Sequence, residues 1–286
     1  MYAQSRRRTA LRHADRLRSG KELFFFPSLL LSAALLMAPS PVTAQAQEED
    51  WCATGQSRQE EVCEVRELTA QLRNGAFSIN AGPNGSIEVK EWEGRDVRIL
   101  ARVAAQARTE RAARDAFERI SLRVGTGSFV TEGPRSLRNG GWSVSVRVQV
   151  PRGTDLTLST TNGSIKVEGV SGPVTGRTTN GSITAMDLRD RVNLRTTNGA
   201  ISAHFDGPIP SHGEVRLRTT NGGVDLTLPR DLSARLEAST TNGGISTDFP
   251  ITVQGRIGRR ISATLGDGGP LIEARTTNGA IRLREG

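Results

Sequence analysis

The sequence predicts an all-β protein whose C-terminal half is a β-solenoid with units of about 18 residues, preceded by a β-rich cap with one short helix. Three observations carry this prediction. The letters TTNG recur between residues 160 and 279, apolar and polar residues alternate on both sides of each copy, and a helical period occurs near residues 109–120. A near-constant spacing indicates stacked units, and alternation is the pattern of a strand with one buried face.

Residues 1–44 have the composition of a secretory signal peptide. An Arg-rich start precedes the apolar run LFFFPSLLLSAALLMA at 23–38, and small residues then place cleavage after 44 or 46. The run contains Pro27 and is shorter than the roughly 20 residues of a membrane-spanning helix, so we expect its removal to leave no transmembrane span. The mature protein is therefore predicted to be exported, whether it is periplasmic, at the cell surface or secreted.

Most of the net positive charge lies in this leader. Residues 1–44 hold seven of the 38 Lys and Arg residues and two of the 30 Asp and Glu residues, which leaves 31 basic and 28 acidic residues in the mature part. A net charge of +3 on a surface of mixed sign provides no basic block for a phosphate backbone. We therefore expect no nucleic-acid partner.

The N-terminal segment 45–75 contains both cysteines, Cys52 and Cys63. An even count in an exported chain favours a disulfide that closes a short loop. A lipid-anchored cysteine is disfavoured because Cys52 follows acidic residues and Trp51 instead of an apolar stretch. The sequence therefore predicts a disulfide between the two cysteines.

Residues 76–150 resemble an irregular cap on the repeats. NGSIEV at 84–89 reproduces NGSIKV at 162–167, so a degenerate first unit begins here. In TERAARDAFERI at 109–120, Thr109 is a suitable N-cap for a helix. The apolar face of that helix would consist of Ala112, Ala113, Ala116, Phe117 and Ile120. A helix over an open solenoid end would cover unpaired strand edges; a partner-binding helix is the alternative.

Residues 151–286 form the repeat region. The Asn of each TTNG follows the previous one by 18, 18, 23, 21 and 36 residues, the last gap being twice 18. Apolar residues six before and three after each Asn predict a strand, a corner at Asn-Gly and a second strand. We expect the Gly to supply the positive φ of the corner. The corner residues are Asn162, Gly163, Asn180, Gly181, Asn198, Gly199, Asn221, Gly222, Asn242, Gly243, Asn278 and Gly279.

Two folds satisfy this spacing. Asn-Gly between alternating strands is a strong signal for a β-hairpin, and serial hairpins would give a β-meander or a sandwich. A β-solenoid instead stacks the same residues of successive units about 4.8 Å apart. Only stacking gives a reason to keep both threonines, because aligned Thr and Asn side chains form hydrogen-bonded ladders. The solenoid is therefore favoured, and the hairpin fold is the alternative.

A recurrent arginine stands three residues before the Asn of the motif. It has outward parity, as the second Thr does, whereas the first Thr has inward parity. If the repeat binds a ligand, this column of outward side chains is the candidate surface. Its members are Arg177, Arg195, Arg218 and Arg275.

The C-terminal end shows no cap in the sequence. Only residues 280–286 follow the last motif. We expect an open strand edge there, which either relies on its charges to prevent pairing or docks on a partner. Self-association through this edge is the resulting hypothesis.

The order of these features resembles that of a known family. CEVR at 63–66, NGSIEV, the helix and VQVPRG at 148–153, followed by serial TTNG units, are similar to the bacterial DUF4097 family, exported proteins regarded as adhesins with β-strand repeats. The resemblance covers roughly residues 63–286 and rests mainly on the serial T-N-G units. It implies an exported all-β repeat fold and supplies no catalytic residues.

Catalytic chemistry finds little support in the sequence. The acids beside the repeats stand at unequal offsets from their Asn, so they scatter in position and parity. These acids are Glu168, Asp187, Asp206, Asp225 and Asp248. His204 and His212 lack a third metal ligand, and the calcium-like GDGG at 266–269 occurs only once. We therefore expect no catalytic site, no metal and no cofactor.

The function that the sequence favours is non-enzymatic. Residues 152–286 contain only Phe205 and Phe249 as aromatics, both of inward parity, so a platform of exposed rings for sugars is not expected. The leading hypothesis is an adhesin-like module or cell-envelope scaffold that binds an envelope glycan or a protein. The alternatives are a carbohydrate-active β-helix enzyme, such as a polysaccharide lyase or hydrolase, and a periplasmic partner of an envelope signalling system.

Overall fold

The computed structural model describes residues 51–52, 59–137, 139–211, 213–250 and 258–286. The signal peptide expected at 1–44 and His212 lie outside the described residues. The first strands are β1 (Glu60–Ala70), β2 (Ala76–Asn80), β3 (Ile87–Trp92), β4 (Val97–Ala107), β5 (Ser121–Gly125), β6 (Ser128–Glu132) and β7 (Gly141–Pro151), with helix α1 (Glu110–Phe117) between β4 and β5.

The repeat region contributes thirteen more strands. They are β8 (Asp155–Ser159), β9 (Ile165–Glu168), β10 (Val174–Arg177), β11 (Ile183–Leu188), β12 (Val192–Arg195), β13 (Ile201–Phe205), β14 (Glu214–Arg218), β15 (Val224–Leu228), β16 (Ala234–Asn242), β17 (Ile245–Thr247), β18 (Arg260–Leu265), β19 (Leu271–Asn278) and β20 (Ile281–Glu285).

The strands form two sheets of ten. Sheet A has the order β1-β4-β7-β3-β9-β11-β13-β15-β20-β17, and sheet B has the order β18-β16-β19-β14-β12-β10-β8-β2-β6-β5. The strands on either side of Asn180 illustrate the chain path, because β10 belongs to sheet B and β11 to sheet A. The chain therefore changes sheet at Asn-Gly instead of folding back as a hairpin. We call one such strand, corner and strand a unit, named by its Asn.

Neighbouring units pair in parallel and in register. In sheet B, Val174 lies opposite Leu156 on one side and Val192 on the other. In sheet A, Ile183 lies between Ile165 and Ile201 in the same way. All of these apolar residues are at most 2% exposed. The alternation seen in the sequence thus fills the space between the two sheets, and the fold is all-β and solenoid-like.

The N-terminal part extends both sheets. The NGSIEV segment joins the stack through a bridge between Asn84 and Asn162, and β3 pairs in parallel with β9. Beyond it, β4 runs antiparallel to both β1 and β7, and β5 runs antiparallel to β6. A disulfide joins Cys52 to Cys63 of β1, with the Cα atoms 5.8 Å apart.

Helix α1 packs against β1 and β4 at this end. Thr109 is its N-cap and accepts a hydrogen bond of 3.3 Å from the backbone N–H of Ala112. Ala113 and Ala116 are buried, and Phe117 is half-buried. The expected apolar face is wrong at Ala112, which is exposed because the helix is only two turns long and buries a narrow stripe.

The last strands of the chain lie inside the sheets, so the expectation of an open edge there is wrong. β19 pairs with β14 on one side and β16 on the other, while β20 lies between β15 and β17. The units therefore stack in the order Asn84, Asn162, Asn180, Asn198, Asn221, Asn278 and Asn242. The hypothesis of self-association through the last strands loses its basis.

The Asn278 unit lies between the Asn221 and Asn242 units because its strand β20 buries more apolar surface than β17 of the Asn242 unit. Ile281 and Leu283 of β20 are at most 1% exposed. By contrast, β17 has three residues, and its inward Ile245 and Thr247 are only half-buried. A short strand with little buried apolar surface loses the least stabilisation when it lies at the edge of a sheet. The antiparallel pairing of β18 with β16 then ends sheet B.

Candidate binding surface

The corner asparagines form one continuous ladder. Each side-chain amide donates to the Oδ1 atom of the Asn in the preceding unit, as Asn180 does to Asn162 and Asn198 does to Asn180, both at 2.7 Å. The same bond continues at 2.7 to 2.9 Å through the Asn84, Asn221, Asn278 and Asn242 units. Each amide between the terminal Asn84 and Asn242 thus has Asn partners in the units above and below, which fixes the register of the stack.

The first Thr of each motif is buried and bonds to the unit before it. Thr196 Oγ1 donates to the carbonyl oxygen of Gly181 at 2.8 Å, and Thr178 Oγ1 donates to that of Gly163 at 2.9 Å. Equivalent bonds of 2.8 to 2.9 Å occur at Thr160, Thr219, Thr240 and Thr276. The hydroxyl satisfies a carbonyl between two units, so this Thr serves the stack.

The motif glycine is required for close approach and not for a positive φ, which corrects our expectation. Gly181, Gly199 and Gly222 are absent from the described residues that have positive φ. A Cβ atom at Gly199 would stand 2.1 Å from the carbonyl oxygen of Gly181, and the other motif glycines give 1.9 to 2.0 Å. No side chain fits at that distance.

The expected arginine column lies on four neighbouring strands of sheet B. Arg177 of β10 is in register with Arg195 of β12, Arg195 with Arg218 of β14, and Arg218 with Arg275 of β19. Adjacent backbones are about 4.8 Å apart. The four side chains therefore stand side by side on one face, next to the exposed second threonines of the motifs.

A buried carboxylate holds the distal half of this column, by which we mean Arg218 and Arg275. The Glu273 side chain is only 5% exposed, and its Oε2 lies 2.6 Å from Arg218 Nη2. Its Oε1 lies 2.5 Å from Arg275 Nε. Because β19 inserts beside β14, Glu273 also faces Arg216 Nε at 3.7 Å. This carboxylate compensates part of the charge, accepts a hydrogen bond from Arg218 and forms an ion pair with Arg275.

The other two arginines of the column have no such partner. Among the described residues, no carboxylate forms an ion pair with Arg177 or Arg195. Arg260 continues the surface, since it lies opposite Ser239, which in turn lies opposite Arg275. The result is a basic face with little internal neutralisation, suited to an anion.

The distal half of the column borders a groove of about 620 Å³. Five arginines line it, and the other eight lining residues are threonines or serine. The five are Arg195, Arg218, Arg259, Arg260 and Arg275. The sequence reading did not single out Glu273, Arg259 or Arg260. Glu273 stands five residues before its Asn, at an outward position on the same strand as Arg275. This shared outward parity is the sequence feature that could have predicted Glu273 as part of the site.

The structure engages three of the five candidate acids with basic side chains. Glu168 Oε2 lies 3.2 Å from both Lys90 and Lys166, Asp225 contacts Arg282 and Arg284, and Asp187 Oδ1 lies 3.3 Å from His204 Nδ1. Among the described residues, none of the five acids, which include Asp206 and Asp248, forms a hydrogen bond to another. The arrangement therefore resembles surface ion pairing more than a pair of carboxylates for acid and base catalysis.

In residues 51–52, 59–137, 139–211, 213–250 and 258–286, no group of three or more His, Cys, Asp and Glu side chains could hold a metal ion. The same part of the chain contains no helix with the length and apolar character needed to cross a bilayer. Phe205 and Phe249, the aromatics of the repeat region, are both buried.

Solved structures show remote likeness to this chain. A candidate cell adhesion protein from Clostridium sporogenes ATCC 15579 is 13% identical, with a TM-score of 0.41, covering 80% of this chain and all of that one. A candidate adhesin from Parabacteroides distasonis ATCC 8503 is 8% identical, with a TM-score of 0.35, covering 78% of this chain and 97% of its own. A candidate lipid-binding protein from the same organism is 10% identical, with a TM-score of 0.28, over 77% and 96% of the two chains.

Sequence comparison gives a stronger result at the level of the family. No curated protein matches the chain. The family model described as Toastrack DUF4097 matches residues 64–284, which contain strands β2 to β19 in full, the helix and every TTNG motif. The match extends over most of the chain and agrees with the resemblance seen in the motifs. The chain therefore belongs to the Toastrack DUF4097 family.

Proposed function

We propose that the protein is an exported, non-enzymatic binding module, adhesin-like or an envelope scaffold, that holds its ligand on the arginine column. One observation carries the proposal: four arginines stand in register on adjacent strands, and Arg177 and Arg195 have no carboxylate partner among the described residues. Stacking accounts for the first Thr, the Asn and the Gly of each motif. It does not account for the outward arginines, which makes them available for a ligand.

The organisation of the chain follows from the same proposal. Residues 1–44 would be removed on export, 45–75 would carry the disulfide, and 76–150 would cap the stack. Residues 151–286 would form units of about 18 residues, with longer returns where the spacing widens. The helix α1 at the N-terminal end and the bridges from Asn162 to Asn180 and Asn198 support this division.

A glycan array tests the proposal with the mature protein and two variants. The column variant replaces Arg177, Arg195, Arg218 and Arg275 by Gln. The control variant replaces four exposed arginines outside the column, Arg108, Arg111, Arg135 and Arg189, by Gln and so loses the same net charge. Thermal unfolding of each variant checks that it is folded.

The proposal expects binding by the mature protein and the control variant, with loss of binding in the column variant. Equal binding by all three proteins would contradict it. A lyase and hydrolase assay on every bound glycan tests the enzyme alternative, since cleavage products would overturn the non-enzymatic function. A periplasmic pull-down that depends on the column and recovers a specific protein would support the signalling partner instead.

A further inference from the structure

The groove at the distal end of the column brings five arginines together. Four of its arginines lie in the strands β12, β14, β18 and β19, and the fifth, Arg259, directly precedes β18. Arg260 is the first residue of β18. Glu273 is the only carboxylate that contacts two of these arginines within 2.6 Å in the described part of the chain. The positive charge of the groove is therefore only partly compensated.

Glu273 makes this site rigid. Its side chain is 5% exposed and is held between Arg218 and Arg275 on adjacent strands. The Arg218 side chain is 42% exposed, and among the described residues its guanidinium donates to a carboxylate only through Nη2. That guanidinium thus keeps unused donor capacity although its position is fixed. A pre-positioned guanidinium loses little conformational freedom when an anion binds.

The lining residues decide the class of ligand. Guanidinium groups match carboxylate, sulfate and phosphate oxygens. Four lining residues have hydroxyls that are not engaged in the stack and can bond to sugar hydroxyls: Thr220, Ser239, Thr241 and Thr277. Among the described residues, none that lines the groove is aromatic, so neither the bases of a single-stranded nucleic acid nor neutral sugar rings find a stacking surface there. Beyond the groove, Arg177 extends the row of charges at a spacing of about 4.8 Å.

We propose that this surface binds an acidic polysaccharide, with one anionic group seated in the groove and the chain extended along the arginine column. The inference rests on the proposed function and specifies its ligand class. Glu273 is a positioning residue in this account, because it acts through Arg218 and Arg275. The other three arginines of the groove, Arg195, Arg259 and Arg260, bind the seated anionic group directly.

Isothermal titration with defined polymers tests the ligand class. The mature protein is titrated with polygalacturonate, neutral dextran, single-stranded poly(dT) and vesicles of phosphatidylcholine with phosphatidylglycerol, at about 0.15 M salt. We expect binding to polygalacturonate that weakens with added salt, and no binding to dextran. Tighter binding to poly(dT) or to the vesicles would overturn the polysaccharide assignment.

Two charge variants test the role of Glu273. Glu273→Gln adds one positive charge to the site, so a simple charge effect would tighten polygalacturonate binding. The positioning role instead predicts binding about tenfold weaker. Glu237→Gln is the matched control: its carboxylate is half exposed and lies 4.0 Å from Arg275, so the same charge change is expected to leave binding equal or slightly tighter. Equal tightening in both variants would contradict the positioning role.

A third variant keeps the test independent of the folding of Glu273→Gln. The double variant Arg259→Gln, Arg260→Gln changes two exposed residues and is expected to weaken polygalacturonate binding about tenfold. Unchanged binding would remove the groove from the proposal. If the column variant instead loses binding to a neutral glycan, the proposed function stands and the acidic ligand class is wrong. If no glycan binds at all, both fail.

Discussion

The hydroxyl of Thr196 donates a hydrogen bond of 2.8 Å to the carbonyl oxygen of Gly181, one unit earlier in the stack. The same oxygen lies 2.1 Å from the place that a Cβ on Gly199 would occupy. One carbonyl therefore explains two letters of the motif, and the ladder from Asn198 to Asn180 explains a third. The second Thr contributes its backbone, since the carbonyl of Thr197 accepts from the N–H of Asn221 at 2.8 Å, but its exposed side chain forms no hydrogen bond across units among the described residues.

Replacement of Thr196 by Val should destabilise the protein by about 1–3 kcal/mol, because a buried carbonyl loses its donor. The matched control is Thr197→Val, an exposed neighbour for which we expect a change within about 0.5 kcal/mol. Urea unfolding followed by circular dichroism measures both free energies of unfolding. Similar values for the two variants would show that the hydroxyl of Thr196 does not support the stack.

Replacement of Gly199 by Ala should cost about 1–3 kcal/mol or more, because the new methyl group collides with the backbone carbonyl of Gly181 in the preceding unit. Gly207→Ala is the control, since a Cβ there would have no atom within 4 Å. Thermal unfolding compares the two variants with the wild type. A Gly199→Ala protein with an unchanged midpoint would refute the close approach of the units.

The ion-pair cluster on sheet A gives a prediction about pH. The pKa of Glu168 is lowered from its ordinary value mainly by the hydrogen bond from Lys166, and secondly by Lys90. We expect Lys166→Met and Lys90→Met each to raise the Glu168 pKa. Titration of the carboxyl carbon by NMR measures the shift, and an unchanged pKa in either variant would contradict the contact between that lysine and Glu168.

The sign of the stability effect follows from that lowered pKa. A carboxyl whose folded pKa is depressed stabilises the folded state above its unfolded pKa and loses this contribution as the pH falls through the folded value. Lys166→Met should therefore remove a small, salt-sensitive part of the stability that the wild type has at neutral pH. At a pH below both pKa values the two proteins should differ least through this group.

Much of the fold could be predicted because each unit repeats one local pattern. Alternation placed Ile165, Ile183 and Ile201 in the core, and all three are fully buried. The order of the units could not be predicted, because TTNG stacks equally well on any other TTNG. The unit beside the Asn221 unit is decided by how much apolar surface each strand buries and by the path of the chain after β17. Neither property changes the sequence of the TTNG corner.

The candidate site was likewise predictable in its repeated residues and unpredictable in its contacts between distant units. The outward parity of Arg195 and its copies was sufficient to place them in a column. Glu273, however, contacts Arg218 only because β19 inserts beside β14. Arg259 and Arg260 join the groove because β18 turns back along β16. The spacing of the motifs therefore could not predict contacts that depend on the order in which the units stack.

Disulfide trapping tests the stacking order most directly. Thr220, Thr277 and Thr241 occupy the same exposed position in the Asn221, Asn278 and Asn242 units. One variant carries Thr220→Cys and Thr277→Cys, and the other carries Thr220→Cys and Thr241→Cys. Neighbouring strands lie about 4.8 Å apart, within reach of a disulfide, whereas strands separated by one other strand lie roughly 10 Å apart.

Mild oxidation and peptide mapping without reduction identify which pair forms a bond, separately from the Cys52–Cys63 disulfide. The insertion of the last unit predicts efficient cross-linking of the Thr220 and Thr277 pair and none of the Thr220 and Thr241 pair. The opposite result, with the second pair bonded and the first unbonded, would show that the units stack in chain order and would contradict the architecture on which the binding groove depends.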